Sequence, residues 1–248
     1  MILVLGLYLR LPFGKFHRGN SEVIRMANLI GRTPSSVAMR LSNYASLDPM
    51  LQARGVMGLQ GGKDKCRSYW DEFSSNKEAL IFECAKIQAQ YEHVSIENKY
   101  RDILQDIPEN IIGVTREQVV QVRVNQSFFR QIVLANYDYK CALSGIDIPE
   151  LLVASHVIPW SKSKEERMNP KNGICLSMLY DKAFDKGLIS FSEHYHVLFS
   201  SRLKENVGKE YFAQYFEPIS DCSLATEGLR YPVNPDFLEW HRDCVFRG

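Results

Sequence analysis

The spacing of apolar positions divides the chain into stretches of different texture. Met1–Leu11 is an almost continuous apolar run broken by Arg10; by period alone it fits a buried helix or a strand. Pro12, Gly14 and Gly19 mark a loop. Val23, Ala27 and Ile30 then recur at i, i+4 and i+7, which predicts a helix over Glu22–Ile30 with Ser21 as its N-cap and Gly31 at its end. Thr33-Pro34 opens a second helix, Thr as N-cap and Pro at the first helical position. Its apolar face is Val37, Leu41 and Tyr44, and its opposite face carries Ser36, Arg40 and Asn43. Two helices joined by a tight glycine turn, the second polar and basic outside, predict a helix-turn-helix-like pair, a unit also common in plain bundles. Gly55–Asp64 reads as a loop. Trp70–Tyr100 reads as one long, solvated helix with acids around it, closed by Pro108 and Gly113.

From Val119 the pattern changes. Val119–Leu134 is helical, with Phe128, Ile132 and Ala135 in phase. Lys140–Leu143 and Leu151–Ile158 are short β-prone runs, expected to form a hairpin about Ser144-Gly145. Gly173–Phe184 is expected as a helix, followed by a strand pair, Leu188–Phe191 and Val197–Ser200. The expected class is α+β: a helical head over residues 1–67, an acidic helical connector over 68–118, and a mixed domain over 119–248 with its core at 140–190.

Composition narrows the class without naming an activity. With 45% apolar and 24% charged residues in 248, the chain is an ordinary globular one. The six cysteines include no CxxC pair, and a chain of this length needs no disulfide framework, so reduced thiols are expected. The apolar start is about half the ~20 residues that cross a bilayer and lacks a basic n-region or a cleavage site. A cytoplasmic location with no membrane partner is the expectation. Charge becomes informative once divided along the chain. Residues 1–67 hold ten Lys/Arg against three acids, a net of +7, whereas 68–120 nets −5 and 121–248 nets −1. A basic head suits a polyanion, because bound Lys and Arg release phosphate counterions. Arg32, Arg40, Arg123 and Arg130 are the candidate phosphate contacts, each weighed evenly against an ordinary solvated surface.

The stretch that carries chemistry is Cys141–Gly187. His156 ends an apolar strand, Asn172-Gly173 follows sixteen residues later, and the next helix bears Asp181 and Asp185 on one face at i, i+4. Taken singly these are bland: a core histidine, a turn, a solvated helix face. Cys141 and Cys175 read better as buried thiols than as metal ligands, and His194 and His196 as surface residues.

Together, ASHVIPW (154–160), NPKNGICLS (169–177) and LYDKAFDKGLI (179–189) resemble the HNH endonuclease family, the ββα-metal nucleases, and most closely its stand-alone bacterial members of the restriction-endonuclease type. QSFFRQIVLANYDYKCALSG, GRTPSSVAMRLSNYASLDP and LEWHRDCVFRG share that character. The resemblance implies a metal-dependent DNA endonuclease in a restriction or defence setting, acting on double-stranded DNA, with a homodimer left open. His156 corresponds to the family's general base, and Asn172 to the asparagine that orients the base or braces its loop. Asp181 and Asp185 are the implied holders of a divalent cation, Mg²⁺ or Mn²⁺ by their preference for oxygen, with Zn²⁺ or Ni²⁺ as alternatives. An imidazole with an ordinary pKa near ~6.5 suits the removal of a proton from water at neutral pH. Two positions depart from common patterns. Tyr180 stands where the family has its second histidine, and Ser155 precedes the base where an acid is frequent. A phenol is a poor ligand unless ionised, so the alternative is a DNA-binding protein with a degenerate, inactive site. A weaker third reading makes the head a protein-interaction module.

Overall fold

The computed structural model describes residues 1–11, 13–105 and 113–248, with side chains for all of these except 113 and 114. Pro12 and Pro108, expected to mark a loop and a helix break, lie outside the described residues. The chain divides into two compact units, Met1–Phe128 and Phe129–Gly248.

The first unit is helical: α1 (Ile2–Arg10), α2 (Ser21–Leu29), α3 (Pro34–Ala45), α4 (Pro49–Ala53), α5 (Asp64–Phe73), α6 (Lys77–Tyr91), α7 (Ile96–Lys99), α8 (Arg101–Leu104) and the first part of α9 (Gly113–Asn136). The apolar start is therefore a helix, with Leu3, Val4, Leu5, Leu7 and Tyr8 in the core. Asn20, not Ser21, caps α2: its side chain accepts from the amides of Glu22 and Val23. Thr33 caps α3 as expected, accepting from Ser36 N, with Pro34 in the first turn.

Two expectations for this unit are corrected. The span 70–100 is not one solvated helix. It is broken between α5 and α6, where Asn76 caps the new helix, and Phe73, Leu80 and Cys84 join the core built on α1 and α3. Acids spread around a helix hide an apolar stripe when the stripe is narrow. Asn43, expected on the solvated face of α3, is buried and donates to the carbonyls of Leu59 and Gly61. The glycine-rich loop thus lies over the polar face of α3. Gly58 has φ +59°, and a side chain there would collide with the backbone of Ser46, so only glycine closes this contact.

In the second unit the end of α9 leads to β1 (Leu152–His156), β2 (Gly173–Ser177), α10 (Met178–Asp185), β3 (Ile189–Phe191), β4 (Val197–Phe199), α11 (Ser201–Lys204), α12 (Glu210–Tyr215) and α13 (Pro235–Cys244). The class is α+β, with two small antiparallel sheets, β1–β2 and β3–β4. The expected β3–β4 pair forms. The expected first hairpin does not: β1 pairs with β2, Ser155 opposite Ile174 and His156 opposite Gly173, and 140–143 is not a strand. Ala142 N still donates to Cys175 O at the margin of that sheet. Helix α10 accordingly begins at Met178, five residues later than expected. Every residue of Gly173–Ser177 is buried, and a strand buried on both faces has no alternation to set it apart from a buried helix.

Candidate active site

The ββα arrangement of β1, β2 and α10 brings together four of the expected site residues: His156, Asn172, Asp181 and Asp185. His156 is the last residue of β1, opposite Gly173. A Cβ at Gly173 would collide with Val133 and Phe129, so glycine there lets α9 lie against the strand. Phe129 is thereby placed under the imidazole, stacked at 3.9 Å between centroids and 12° between planes. Trp160 meets the ring edge-on at 5.6 Å, and Arg167 covers Trp160 from 5.2 Å while its Nε donates to Trp160 O.

The hydrogen bond of His156 settles its tautomer. Nε2 lies 3.0 Å from the carbonyl of Arg167. A carbonyl only accepts, so the ring proton sits on Nε2 and Nδ1 keeps its lone pair. Nδ1 has no hydrogen-bond partner among the described residues. Burial pushes the pKa of His156 below its ordinary value, against the opposing pull of the Arg167 carbonyl and of the Asp185 charge. The ring is therefore neutral at neutral pH and able to take a proton.

Among the described residues the Asn172 side chain makes no hydrogen bond to the imidazole. It is buried and clamps the 157–172 loop: Nδ2 donates to the carbonyls of Ile158 and Glu166, and Oδ1 accepts from Ile158 N at 2.7 Å. Because Glu166 precedes Arg167, this clamp fixes the peptide unit next to the one whose carbonyl holds His156. Of the two roles the resemblance implied, the hydrogen bonds of this side chain are those of a loop brace.

Asp181 is half-buried and Asp185 exposed. Burial raises the pKa of Asp181 and the neighbouring Asp185 charge adds to this, while Ser155 and Lys182 oppose it. Ser155 Oγ is buried without a partner at hydrogen-bonding distance, yet close enough to Asp181 to act on its charge. A buried hydroxyl without an acceptor at hydrogen-bonding distance costs desolvation energy, and the repulsion between Asp181 and Asp185 adds to the cost. One divalent cation would relieve both. The oxygen donors suit Mg²⁺ or Mn²⁺, which take one or two carboxylates and complete their shells with water and phosphate; they suit Zn²⁺ less. Among the described residues no three His, Cys, Asp or Glu side chains gather closely enough to enclose an ion by themselves.

Tyr180 contributes nothing to this cluster. It is buried, its hydroxyl donates to Tyr215 O at 2.7 Å, and its ring meets Phe216 edge-on. The candidate phosphate contacts are dispersed. Arg32 and Arg123 are exposed residues of the first unit. Arg40, also in the first unit, is half-buried and bound to Asn43 and Gly62 O. Arg130, in the second, donates to the carbonyls of Leu152 and Pro149 at 2.6 and 2.7 Å, so its guanidinium serves the start of β1. Three contributors escaped the sequence reading of the site: Phe129, the Arg167 carbonyl and the orphaned hydroxyl of Ser155. Only Ser155, adjacent to His156, had any signal there.

The described residues contain no helix long and apolar enough to cross a membrane. No curated protein matches the chain. Residues 141–192 match the family model of the HNH endonuclease, a family that points to nuclease activity on DNA. This segment takes in β1, β2, α10 and all four clustered residues; with that match, the C-terminal half of the chain carries an HNH endonuclease domain.

Proposed function

We propose that the protein is a divalent-metal-dependent DNA endonuclease in which His156 is the general base. The observation that carries this reading is the hydrogen bond from His156 Nε2 to Arg167 O. It leaves a neutral imidazole with an open Nδ1, on a ring that the Asp185 charge acts on. In this reading Nδ1 takes the proton of a water attacking the scissile phosphate. Phe129 and Trp160 hold the ring plane, the Arg167 carbonyl stabilises the charge that develops on the ring, and Asn172 keeps that carbonyl in place. Asp181, Asp185 and Ser155 would hold Mg²⁺ or Mn²⁺, which would supply charge stabilisation at the phosphate and at the leaving 3′ oxygen. Phosphate contacts from exposed Arg32 and Arg123, the restriction or defence setting and double-stranded DNA as substrate belong to the same proposal and rest on charge and resemblance. Arg40 and Arg130 make weaker candidates, since both guanidiniums are engaged with backbone carbonyls.

A second reading, DNA binding without turnover, is favoured by one observation: position 180 offers the cation no ligand. A divalent-metal titration of plasmid nicking separates the two. The endonuclease reading expects Mg²⁺- or Mn²⁺-dependent nicking by the wild type, abolished in His156→Ala. Salt-sensitive binding with no nicking in any metal, and nicking gained in Tyr180→His, would establish the silent reading instead.

A further inference from the structure

A groove of about 590 Å³ opens at the other end of the β1–β2 hairpin, between the first turn of α10 and the α12 region. Its walls are apolar: Ile146 and Leu151 on one side, Met178 and Leu179 on the helix, Tyr215 and Pro218 opposite. Met178 is 55% exposed, Leu179 44% and Tyr215 45%, large values for apolar and aromatic side chains that share one concavity. No charged residue lines the groove. Its polar side-chain groups are the Ser144 and Ser177 hydroxyls, the Gln214 amide and the hydroxyls of Tyr180 and Tyr215. Ser177 is only 5% exposed and occupies the N-cap of α10, but its side chain makes no capping bond and has no hydrogen-bond partner among the described residues. Tyr180 forms part of this lining, and its hydroxyl pins the Tyr215 carbonyl. The residue in the place of the second histidine thus builds the groove instead of the cation site.

The size falls within the range of small-molecule sites, and the lining follows their composition, apolar walls with a few placed polar groups. The absence of charge excludes a phosphate or a charged side chain as the buried part of the ligand. An aliphatic side chain from a partner would fill the walls but leave Ser177 unpaired. A flat heterocycle, with donors and acceptors on its edge and an apolar face, satisfies both. Ser177 pairs with Leu152 and Gly173 with His156, so four strand steps, ~13 Å, separate the groove's end of the hairpin from the imidazole. That is about four base-pair steps along a duplex at ~3.4 Å each.

We infer that this groove receives an uncharged nucleobase turned out of the DNA duplex, about four steps from the phosphate presented to His156. The inference rests on DNA being the substrate. Extrusion costs least at a weakened or altered pair, which makes the groove a specificity element.

The test uses duplex DNA with 5-iododeoxyuridine in place of thymidine, bound to the full chain in EDTA and irradiated, with crosslinks mapped by peptide mass spectrometry. A gel shift on the same samples measures binding separately. Crosslinks are expected on the peptides bearing Met178 and Tyr215. Compared at equal fractions of bound DNA, they should be lost severalfold in Gln214→Arg and in Ser144→Arg, exposed rim changes that fill the groove. Bound DNA whose crosslinks fall elsewhere, or persist in both variants, overturns the inference and leaves the DNA reading intact. No gel shift at low salt overturns the DNA reading and the inference with it.

Discussion

The second unit holds two histidines in nearly the same setting with opposite consequences. His156 and His241 each place Nε2 on a backbone carbonyl, Arg167 O at 3.0 Å and Phe184 O at 3.1 Å. Each stacks on a phenylalanine, Phe129 at 3.9 Å and Phe184 at 3.7 Å. They differ at Nδ1. In His241 it receives the hydroxyl of Ser190 at 2.9 Å, and the ring is 1% exposed. In His156 it is open, on a half-buried ring on which the Asp185 charge acts. Closing the second nitrogen makes an imidazole part of the scaffold; leaving it open leaves a lone pair able to take a proton. His241 binds the last turn of α10 to α13, with Arg242 reaching Phe191 O alongside. Gly187, at φ +66° against the Val245 backbone, makes room for the C-terminal tail.

The comparison can be broken most forcefully at the open ring. His156→Ala should lower the nicking rate by about 10²–10⁴-fold, the usual worth of a positioned general base, with a smaller loss of thermal stability than at His241, because the ring is only half-buried and gives up one hydrogen bond. His241→Ala should do the reverse. It removes two hydrogen bonds and a stacked, fully buried ring, a loss of about 3 kcal/mol, seen as a fall of roughly 10 °C in melting temperature, while nicking below that temperature persists.

The closed ring also sets a pH dependence. Burial, chiefly, pushes the His241 pKa from 6.5 down to about 4. The folded state therefore binds this proton more weakly than the unfolded chain. Stability is complete above about pH 6.5 and falls as the pH drops toward 4, by about 3 kcal/mol in all. Chemical denaturation at pH 7 and pH 4.5 should show most of this loss in the wild type and much less in His241→Ala. The smallest effect is expected at Tyr180→Phe, which forfeits one hydrogen bond to Tyr215 O, about 1 kcal/mol, and leaves nicking unchanged.

What the sequence disclosed follows from where the information is stored. Thr33-Pro34 and the polar turn between β3 and β4 act through their own side chains and neighbours, and both appear where the pattern puts them. His156, Asn172, Asp181 and Asp185 could be picked out because the family motif spaces them. The pairing of β1 with β2 was hidden, because GICLS carries no alternation and its partner lies seventeen or more residues upstream. The tautomer of His156 was hidden too. It is set by a backbone carbonyl, which any residue supplies, held by a clamp at Asn172 whose partners are also backbone groups. Arg40 and Arg130 looked like phosphate contacts because charge is visible in a sequence and the carbonyls that engage it are not.

Chemical rescue tests the open nitrogen most directly. In Mg²⁺ or Mn²⁺, plasmid nicking by His156→Ala is measured with and without added imidazole, which can enter the slot between Phe129 and Trp160. The expected result is no nicking without imidazole and a concentration-dependent return with it. Nicking by His156→Ala at the wild-type rate without imidazole would contradict the assignment of His156 as the base.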